Sequence, residues 1–162
     1  DHDIAAHVKP GSGPRHLVFS PNGRYAYLMN ELSGKVIVYS YSDGKLKELQ
    51  SIAADNANAR GGADIHVSPD GMFVYASTRL KGDGITIFRV GNKGTLTRVG
   101  AQLTGKHPRN FAITPNGNFL LVACRDDNSI QVYSRDKDTG LLKNTHQDIV
   151  LSHPVCVKFY PE

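Results

Sequence analysis

The chain has 162 residues, of which 40% are hydrophobic and 21% charged, a composition ordinary for one soluble globular domain. No stretch approaches the run of about 18 apolar residues that a membrane helix needs, and the N-terminal residues lack a signal-peptide pattern, so we expect a soluble, cytoplasmic chain without membrane contact. The net charge of +4 comes from 19 Lys and Arg residues scattered without a basic block, and it suits an anionic small molecule as well as a nucleic acid.

A short motif, Ser/Thr-Pro-Asn/Asp-Gly, recurs along the chain. It occurs at residues 20–23, 68–71 and 114–117, and a fourth copy begins with Tyr160 and Pro161. The prolines of the motif, at positions 21, 69, 115 and 161, are 48, 46 and 46 residues apart. A regular spacing of this size indicates an internal structural repeat.

The residues around each motif predict the elements of one repeat. An apolar strand precedes the motif (HLVFS, DIHVS and NFAIT) and a second one follows it (YAYLMN, FVYAST and FLLVAC), because the Pro-Asx-Gly turn reverses the chain. A third strand (KVIVYSY, GITIFRV and SIQVYSR), a glycine turn and a fourth strand, beginning at Leu46, Leu96 or Leu141, complete the unit. Four antiparallel strands in roughly 40 to 50 residues are typical of a β-propeller blade, so the predicted class is all-β.

The predicted blades cover residues 14–53, 62–103 and 108–150, and shorter pieces flank them. Residues 1–9 are long enough for the outer strand of a preceding blade, and residues 153–160 match the inner strand of a following one. Three full blades and two partial ones predict the C-terminal part of a larger propeller. We expect missing N-terminal blades, or self-association through the open edges, to cover the exposed strands.

Neither cysteine predicts metal or redox chemistry. Cys124 and Cys156 lie in apolar runs without CxxC spacing, so we expect buried free thiols. The stretch DKDTG at residues 136–140 is a hairpin turn, since the spacing of a calcium loop is absent, and no GxSxG or HExxH motif occurs. The sequence therefore predicts no metal and no other cofactor.

Alignment on the motif proline places charged residues at equivalent strand ends. The position six residues before the proline begins an inner strand, and the position ten residues after it ends the neighbouring strand. Because these two strands are antiparallel, both positions lie on one rim of the propeller. The predicted rim residues are Arg15, His16, Asn30, Glu31, Asp64, His66, Arg79, Arg109 and Arg125.

A solvated rim without function is the alternative for some of these residues. Strand ends at a surface are commonly charged, and this alone would explain Arg79 and Arg125. Asp64 and His66 differ, because they lie two residues apart on one face of an inner strand and need partners if they are buried. We therefore favour a functional site over a solvated rim at this pair.

Several motifs resemble those of the lactonase family of seven-bladed β-propellers, of the 6-phosphogluconolactonase type. They are GPRH-x-x-F-x-P, A-Y-x-x-N-E-L and A-D-I-H-x-x-P-D-G, followed by P-R-N-F, and the resemblance covers essentially the whole chain. It implies a parent of roughly 320 residues, of which this chain is about the last half. It also implies hydrolysis of a sugar lactone, most directly of 6-phosphogluconolactone to 6-phosphogluconate in the pentose phosphate pathway.

The resemblance assigns roles to the rim residues. Carried over by motif, the family site falls on Arg15 and His16 of GPRH, on Glu31 of NEL, on Asp64 and His66 of ADIH, and on Arg109. We accordingly predict Glu31, His66 and Arg109 as catalytic, and Arg15, His16, Asn30, Asp64 and Arg79 as substrate-binding. A further family histidine on an earlier blade has no counterpart here, so we expect the site to be incomplete in this chain alone.

The residue types suit an anionic lactone. Arginine stays charged, pairs bidentately with oxyanions and can stabilise a tetrahedral oxyanion. Either Glu31 or His66 could accept a proton from water, and no metal is required. Two alternatives stay open: a muconate-type lactonising enzyme or other lactonase, and a non-enzymatic binding platform. The platform would predict aromatic anchors on the rim, whereas this rim is charged and the chain has no tryptophan.

Overall fold

The computed structural model describes residues 4–55, 57–58 and 60–160, which form three antiparallel sheets in succession. Blade 1 contains β1 (Pro14–Phe19), β2 (Tyr25–Asn30), β3 (Lys35–Ser42) and β4 (Lys45–Ala53). Blade 2 contains β5 (Gly62–Val67), β6 (Phe73–Thr78), β7 (Gly84–Val90) and β8 (Leu96–Leu103). Blade 3 contains β9 (Pro108–Ile113), β10 (Phe119–Cys124) and β11 (Ser129–Arg135), and both β12 (Leu142–Asn144) and β13 (Ile149–Val150) pair with β11. The predicted all-β propeller architecture is confirmed.

The motif turns have the same hydrogen bonds in every blade. In blade 1 the Ser20 hydroxyl donates to Asn22 Oδ1 over 2.7 Å, and the Gly23 amide donates to the Ser20 carbonyl over 2.9 Å. Gly23 has φ +67°, a left-handed conformation that glycine adopts without a steric penalty. This local chemistry reverses the chain between the first two strands of each blade.

Adjacent blades pack face to face through aromatic and branched side chains. One buried cluster between blades 1 and 2 includes Tyr27 and Phe88, and a second between blades 2 and 3 includes Tyr75 and Phe111. The two tyrosines are equivalent, six residues after the motif proline. The Tyr27 hydroxyl donates to the Gly94 carbonyl over 3.2 Å, and the Tyr75 hydroxyl donates to the Gly140 carbonyl over 2.8 Å. Each tyrosine thus links its blade to the glycine turn of the next blade.

The inner strand of blade 2 lies very close to blade 1. A Cβ atom on Gly62 would be 2.7 Å from the Asn30 carbonyl oxygen and 2.8 Å from Met29 Sδ. Only glycine fits this approach without movement of the backbone. The close contact brings the rim end of β5 against the rim end of β2.

Three expectations about the flanking segments need correction. Residues 4–9 contain no strand, and residues 1–3 of the predicted outer strand lie outside the described part. No strand occurs between residues 153 and 160 either, because no neighbouring strand in the described part pairs with this segment; Pro161 is not described. Cys124 is buried as expected, whereas Cys156 is exposed because nothing in the described part covers its segment. No helix among the described residues is long and apolar enough to span a membrane.

Candidate functional site at the propeller rim

Each inner strand has a β-bulge at its rim end. The pairing of β1 with β2 shifts between Pro14 and His16, so Arg15 is the extra residue. The pairing of β9 with β10 shifts in the same way, and Arg109 is the extra residue. In β5 the shift falls between Gly62 and Ile65. A bulge changes the direction of a side chain relative to a regular strand. The side chains of Arg15 and Arg109 therefore do not follow the alternation between the two faces of their strands.

In each blade, a backbone hydrogen bond joins the end of the second strand to the residue that precedes the inner strand. In each blade the amide ten residues after the motif proline donates to the carbonyl eight residues before the proline. The N···O distances are 2.7 Å for Glu31 and Gly13, 2.9 Å for Arg79 and Gly61, and 3.2 Å for Arg125 and His107. The strand ends that carry the two predicted rim positions are therefore held together in every blade.

Glu31 lies between two arginines from different blades. Its Oε1 is 2.5 Å from Arg79 Nη2, and its Oε2 is 3.5 Å from Arg15 Nε. Arg79 is buried, and it also donates to the carbonyls of Gly61 and Gly62 over 3.4 Å and 3.2 Å. The Glu31 side chain is 41% exposed, so its carboxylate faces both the guanidinium groups and the solvent. This arrangement gives Glu31 a fixed orientation.

Arg15 connects Glu31 to the centre of the propeller. Its Nη1 donates to the Ala63 carbonyl of blade 2 and lies 3.2 Å from His16 Nε2. Burial first, and repulsion from Arg79 second, lower the pKa of Arg15 below its ordinary value, and attraction from Glu31 opposes them in part. A guanidinium N–H can only donate, so His16 Nε2 accepts and the proton of a neutral His16 is on Nδ1.

The three residues five positions before each motif proline are connected through Asp64. His16 Nδ1 is 2.6 Å from Asp64 Oδ1, and Asn110 Nδ2 donates to Asp64 Oδ2 over 2.5 Å. Asn110 Oδ1 then accepts from the amide of Val157 over 2.7 Å. Equivalent residues of blades 1, 2 and 3 thus form one hydrogen-bonded arc around the axis, with a buried carboxylate at its middle.

The Asp64 carboxylate is stabilised in its charged form. Burial alone would raise the pKa of Asp64, but the hydrogen bond and attraction of His66, with the hydrogen bonds of His16 and of the Phe111 amide, lower it to about 2. The amide of Ile65 donates to Oδ1 as well, over 2.9 Å. Asp64 is therefore an ionised acceptor near neutral pH.

His66 is held on one side by this carboxylate. Its Nε2 is 3.0 Å from Asp64 Oδ2, and its ring contacts Phe111 edge to face, with centroids 4.8 Å apart. Because an ionised carboxylate only accepts, Nε2 carries the proton of a neutral His66 and Nδ1 carries the lone pair. Within the described part of the chain, Nδ1 makes no hydrogen bond.

Arg109 differs from the other rim arginines. It is half-buried, and no hydrogen bond or ion pair joins its guanidinium group to the residues that the structure describes. Its charge lowers the pKa of Arg15 and of His107, after larger contributions from burial and from other arginines, so it lies within electrostatic reach of both. Arg109 is thus a cation whose donors are available to a bound anion.

A channel of about 650 Å³ is lined in part by the rim residues Arg15, His16, Asp64 and His66. It runs between the inner strands β1, β5 and β9 and the segment 157–159. Its polar lining is formed by Arg15, His16, Asp64, His66, Asn110 and Lys158. The size is within the range of small-molecule sites, which are commonly 300–1,000 Å³.

A family model of the lactonases with a seven-bladed β-propeller matches residues 2–159 of the chain. The chain belongs to this lactonase family. A curated 6-phosphogluconolactonase from Formosa agariphila is 48% identical over 91% of the chain, and one from Bacillus subtilis is 37% identical over 93%. The matches cover 43% and 45% of those two proteins, so the chain spans less than half the length of these curated relatives.

Solved structures of lactonase type superpose closely on the chain. A Bacteroides fragilis protein proposed to be a 6-phosphogluconolactonase matches with a TM-score of 0.94 and 59% identity, over 95% of this chain and 44% of its own. The periplasmic gluconolactonase PpgL of Pseudomonas aeruginosa matches with a TM-score of 0.90 and 35% identity, over 96% and 45%. The relatives therefore include lactonases named for a phosphorylated substrate and one named for gluconolactone.

The structure of the lactonase chain connects most of the predicted site residues. Hydrogen bonds and ion pairs run continuously through Arg79, Glu31, Arg15, His16, Asp64 and His66. Arg109 lies beside this chain of contacts without joining it. Asn30 is not brought to the site: its fully buried side chain donates to the carbonyls of Leu28 and Lys35 in its own blade.

His107 is also part of the lactonase rim, although it is not among the residues predicted from the sequence. Its Nε2 is 3.2 Å from Arg79 Nη1, and its Nδ1 is 3.3 Å from Arg125 Nη2 and 3.6 Å from Asp126 Oδ2. The repeat alignment contained a signal, because the equivalent residues of blades 1 and 2 are Gly13 and Gly61. A histidine where the other two blades have glycine marks a departure from the repeat.

Proposed function

We propose that the protein hydrolyses a sugar lactone at this rim, with 6-phosphogluconolactone as the first substrate to test. The observation that carries the proposal is an oriented histidine in the lining of the channel, together with an arginine on the neighbouring inner strand β9 that has no partner among the described residues. His66 is held by an ionised carboxylate and has a free ring nitrogen, and Arg109 has no partner among the described residues. The names of the curated relatives support the same chemistry.

Arg109 is the cation proposed to bind the anionic group of the substrate. An arginine already paired with a carboxylate, as Arg79 is with Glu31, would have to exchange partners to bind a phosphate. Arg109 needs no such exchange, and its planar donor fork matches phosphate oxygens. A phosphorylated lactone would therefore be anchored at Arg109, with its ring toward the channel.

His66 is the group proposed to accept a proton from water. Its Nδ1 lone pair is available, and Asp64 both orients the ring and would stabilise the imidazolium that forms. Glu31 suits this role less well, because its two oxygens already face Arg79 and Arg15. We assign Glu31 instead to holding the two arginines in place.

The proposed reaction is an ordinary ester hydrolysis. Water adds to the lactone carbonyl carbon while its proton passes to His66 Nδ1, and the resulting oxyanion is stabilised by a guanidinium group. Arg15 suits that task, since its Nη2 makes no hydrogen bond within the described residues. The ring C–O bond then breaks, the alkoxide takes the proton back from His66, and the product is a hydroxy acid.

A gluconolactonase activity is the second candidate, because PpgL carries that name and matches the chain closely. The two candidates differ in the need for a phosphate-binding cation. The test compares hydrolysis of 6-phosphogluconolactone, gluconolactone and a muconolactone by the full-length protein and by its His66→Ala variant. His146→Ala is the matched control, because this histidine is exposed and lies away from the rim.

Hydrolysis that prefers the phosphorylated lactone, and whose rate falls strongly in His66→Ala but is kept in His146→Ala, would support the proposal. Preference for gluconolactone or muconolactone would favour the other lactonase candidates. If the intact protein hydrolyses none of the three, the proposed function is wrong and a binding platform becomes the better hypothesis.

We further propose that the outward face of blade 1 packs against another blade of the same protein. Leu17 and Phe19 are each 45% exposed there, and Phe19 contacts Tyr41 with ring centroids 5.1 Å apart. Covering such apolar side chains stabilises a protein by about 25 cal/mol per Å² of buried area.

We also propose a cytoplasmic location, which suits the two free cysteines, and fractionation of the native cells tests it.

A further inference from the structure

His107 has a backbone conformation that is unfavourable for its residue type. Its φ is +58°, in the left-handed region that glycine prefers, and Gly13 has φ +65° at the equivalent position of blade 1. A histidine in this conformation is strained relative to glycine, although histidine adopts it more readily than most residues do. The imidazole is mostly buried, with 15% of the side chain exposed.

The contacts of His107 determine which ring nitrogen carries the proton. Arg79 and Arg125 can only donate, and a neutral imidazole has a single acceptor nitrogen, so only one of the two arginines can be hydrogen-bonded to it. A proton on Nδ1 faces Asp126 Oδ2 at 3.6 Å and leaves the lone pair of Nε2 for Arg79 Nη1 at 3.2 Å. This tautomer gives the buried Arg79 its acceptor, while Arg125 keeps Asp126 as its partner over 2.7 Å.

We propose that His107 is a positioning residue that holds Arg79, and through Arg79 the Glu31 carboxylate, and that it does so only in its neutral form. This inference rests on the proposed lactone hydrolysis. Among the described residues, Arg79 Nη1 has no hydrogen-bond acceptor other than His107, while Nη2 of the same guanidinium contacts Glu31 at 2.5 Å. Removing His107 leaves Nη1 buried without an acceptor, and the guanidinium plane that orients Glu31 is no longer fixed.

Protonation of His107 would have the same effect. The charged groups that face the ring are Arg79, Arg125 and Arg109, which repel a cation, and Asp126, which attracts one. Burial first, and Arg125 next, lower the pKa of His107 below its ordinary value of 6.5, so the ring is neutral near neutral pH. Below that lowered pKa both nitrogens become donors, and the ring can no longer accept from Arg79.

The test uses the full-length protein and two substitutions, His107→Ala and His107→Gln. His146→Gln is the matched control, since His146 is exposed and has the same left-handed backbone, with φ +57°. We expect His107→Ala to lower kcat about 10- to 100-fold with little change in KM, because the catalytic groups are displaced while the anion site remains. The amide oxygen of His107→Gln can accept from Arg79, so we expect this variant to recover most of the lost kcat.

The pH profile separates positioning from a merely structural role. In the wild-type protein, protonation of His107 removes its hydrogen bond with Arg79, so kcat should fall at acid pH about as much as it does in His107→Ala. His107→Gln does not titrate at this position, so its log kcat should fall with a shallower slope at acid pH than that of the wild-type protein. Wild-type kcat and slope in both His107 variants would overturn the inference while leaving lactone hydrolysis intact.

Crystal structures of the His107→Ala variant decide the inference independently of activity. We expect Arg79 to turn away from Glu31 in this variant and to keep its place in His146→Gln. If the wild-type protein hydrolyses no lactone, the proposed function fails, and the position of Arg79 still tests the role of His107. An Arg79 that keeps its contact with Glu31 in the absence of the imidazole overturns the inference.

Discussion

Arg79 and Glu31 occupy the same place in neighbouring blades, ten residues after the motif proline, and form an ion pair with 2.5 Å between Arg79 Nη2 and Glu31 Oε1. The repeat makes the two positions structurally equivalent, and the reversal of charge makes them attract each other. Arg125 is the third member of the set and pairs instead with Asp126, over 2.7 Å. One position of the repeat thus carries three charged side chains, of which two pair with each other and the third pairs with Asp126.

Loss of the Glu31 charge should impair hydrolysis by releasing two arginines at once. We expect Glu31→Gln to lower kcat/KM by about 100-fold, because Arg15 and Arg79 are no longer held in one geometry. Steady-state kinetics on 6-phosphogluconolactone measure the effect. Glu48→Gln is the control, since Glu48 is exposed on the outer strand β4, and a loss below about twofold in Glu31→Gln would contradict the role we assign to Glu31.

Removal of Arg109 should affect substrate binding without affecting stability. Because its guanidinium has no partner in the described part of the chain, we expect Arg109→Ala to change the free energy of unfolding by less than about 0.5 kcal/mol. The KM for 6-phosphogluconolactone should rise about tenfold, and the KM for gluconolactone should change less. Arg24→Ala, at the opposite end of the strands, controls for loss of a surface charge. Equal effects on both lactones would show that Arg109 does not bind the phosphate.

Ionisation of the Asp64 carboxyl group should make the free energy of unfolding depend on pH in the acid range. Its folded-state pKa of about 2 lies below the ordinary 3.8, so the unfolded chain binds the proton more readily. The resulting stabilisation, about 2 kcal/mol, is present above pH 4 and is lost as pH falls through 2. Urea unfolding between pH 2 and 5 should therefore show a weaker pH dependence for Asp64→Asn than for Asp138→Asn, which changes an exposed turn residue. An equal pH dependence of the free energy of unfolding in the two variants would contradict the lowered pKa of Asp64.

Arg135 should contribute to the stability of the fold and not to catalysis. Its fully buried guanidinium donates to Asp70 Oδ2 over 2.7 Å, to the Tyr75 hydroxyl over 2.8 Å and to the Gly117 carbonyl over 3.1 Å. We expect Arg135→Met to lower the free energy of unfolding by about 1 to 3 kcal/mol, because buried acceptors lose their donor. Thermal unfolding measures this, with Lys137→Met as the exposed control. Since Arg135 is bonded to a motif turn, opposite the rim, a large fall in kcat of the folded variant would be unexpected.

The strands were largely predictable because their signals are local. The sequence-based second strands coincide with β2, β6 and β10, since turn residues bound them on one side and each is a short, mostly apolar run. The inner strands begin two residues earlier than predicted, at Pro14, Gly62 and Pro108. The difference arises from the bulges, which extend the pairing past an irregular residue that no alternation pattern reveals.

The sequence predicted which residues lie at the rim better than it predicted which side chains they contact there. Asn30 has the right position in the repeat, but its side chain satisfies carbonyls of its own blade. His107 was missed because it precedes the aligned positions and its partner Arg79 belongs to another blade. A single repeat contains no information about which side chain of the next blade it will meet.

The sequence by itself determined the repeat: the order of the strands, the motif turns, and the rim on which the charged residues lie. These features follow from turn chemistry and from the two-residue period of a strand, which act within a few residues. The number of strands was four as predicted in blades 1 and 2, whereas blade 3 has two short strands, β12 and β13, where one was predicted. Only the tertiary structure decided that Glu31 pairs with Arg79, that His16 and Asn110 share the Asp64 carboxylate, and that Arg109 has no partner among the described residues. Those outcomes depend on the bulges and on the stacking of each blade against the next, which bring together residues about 48 positions apart.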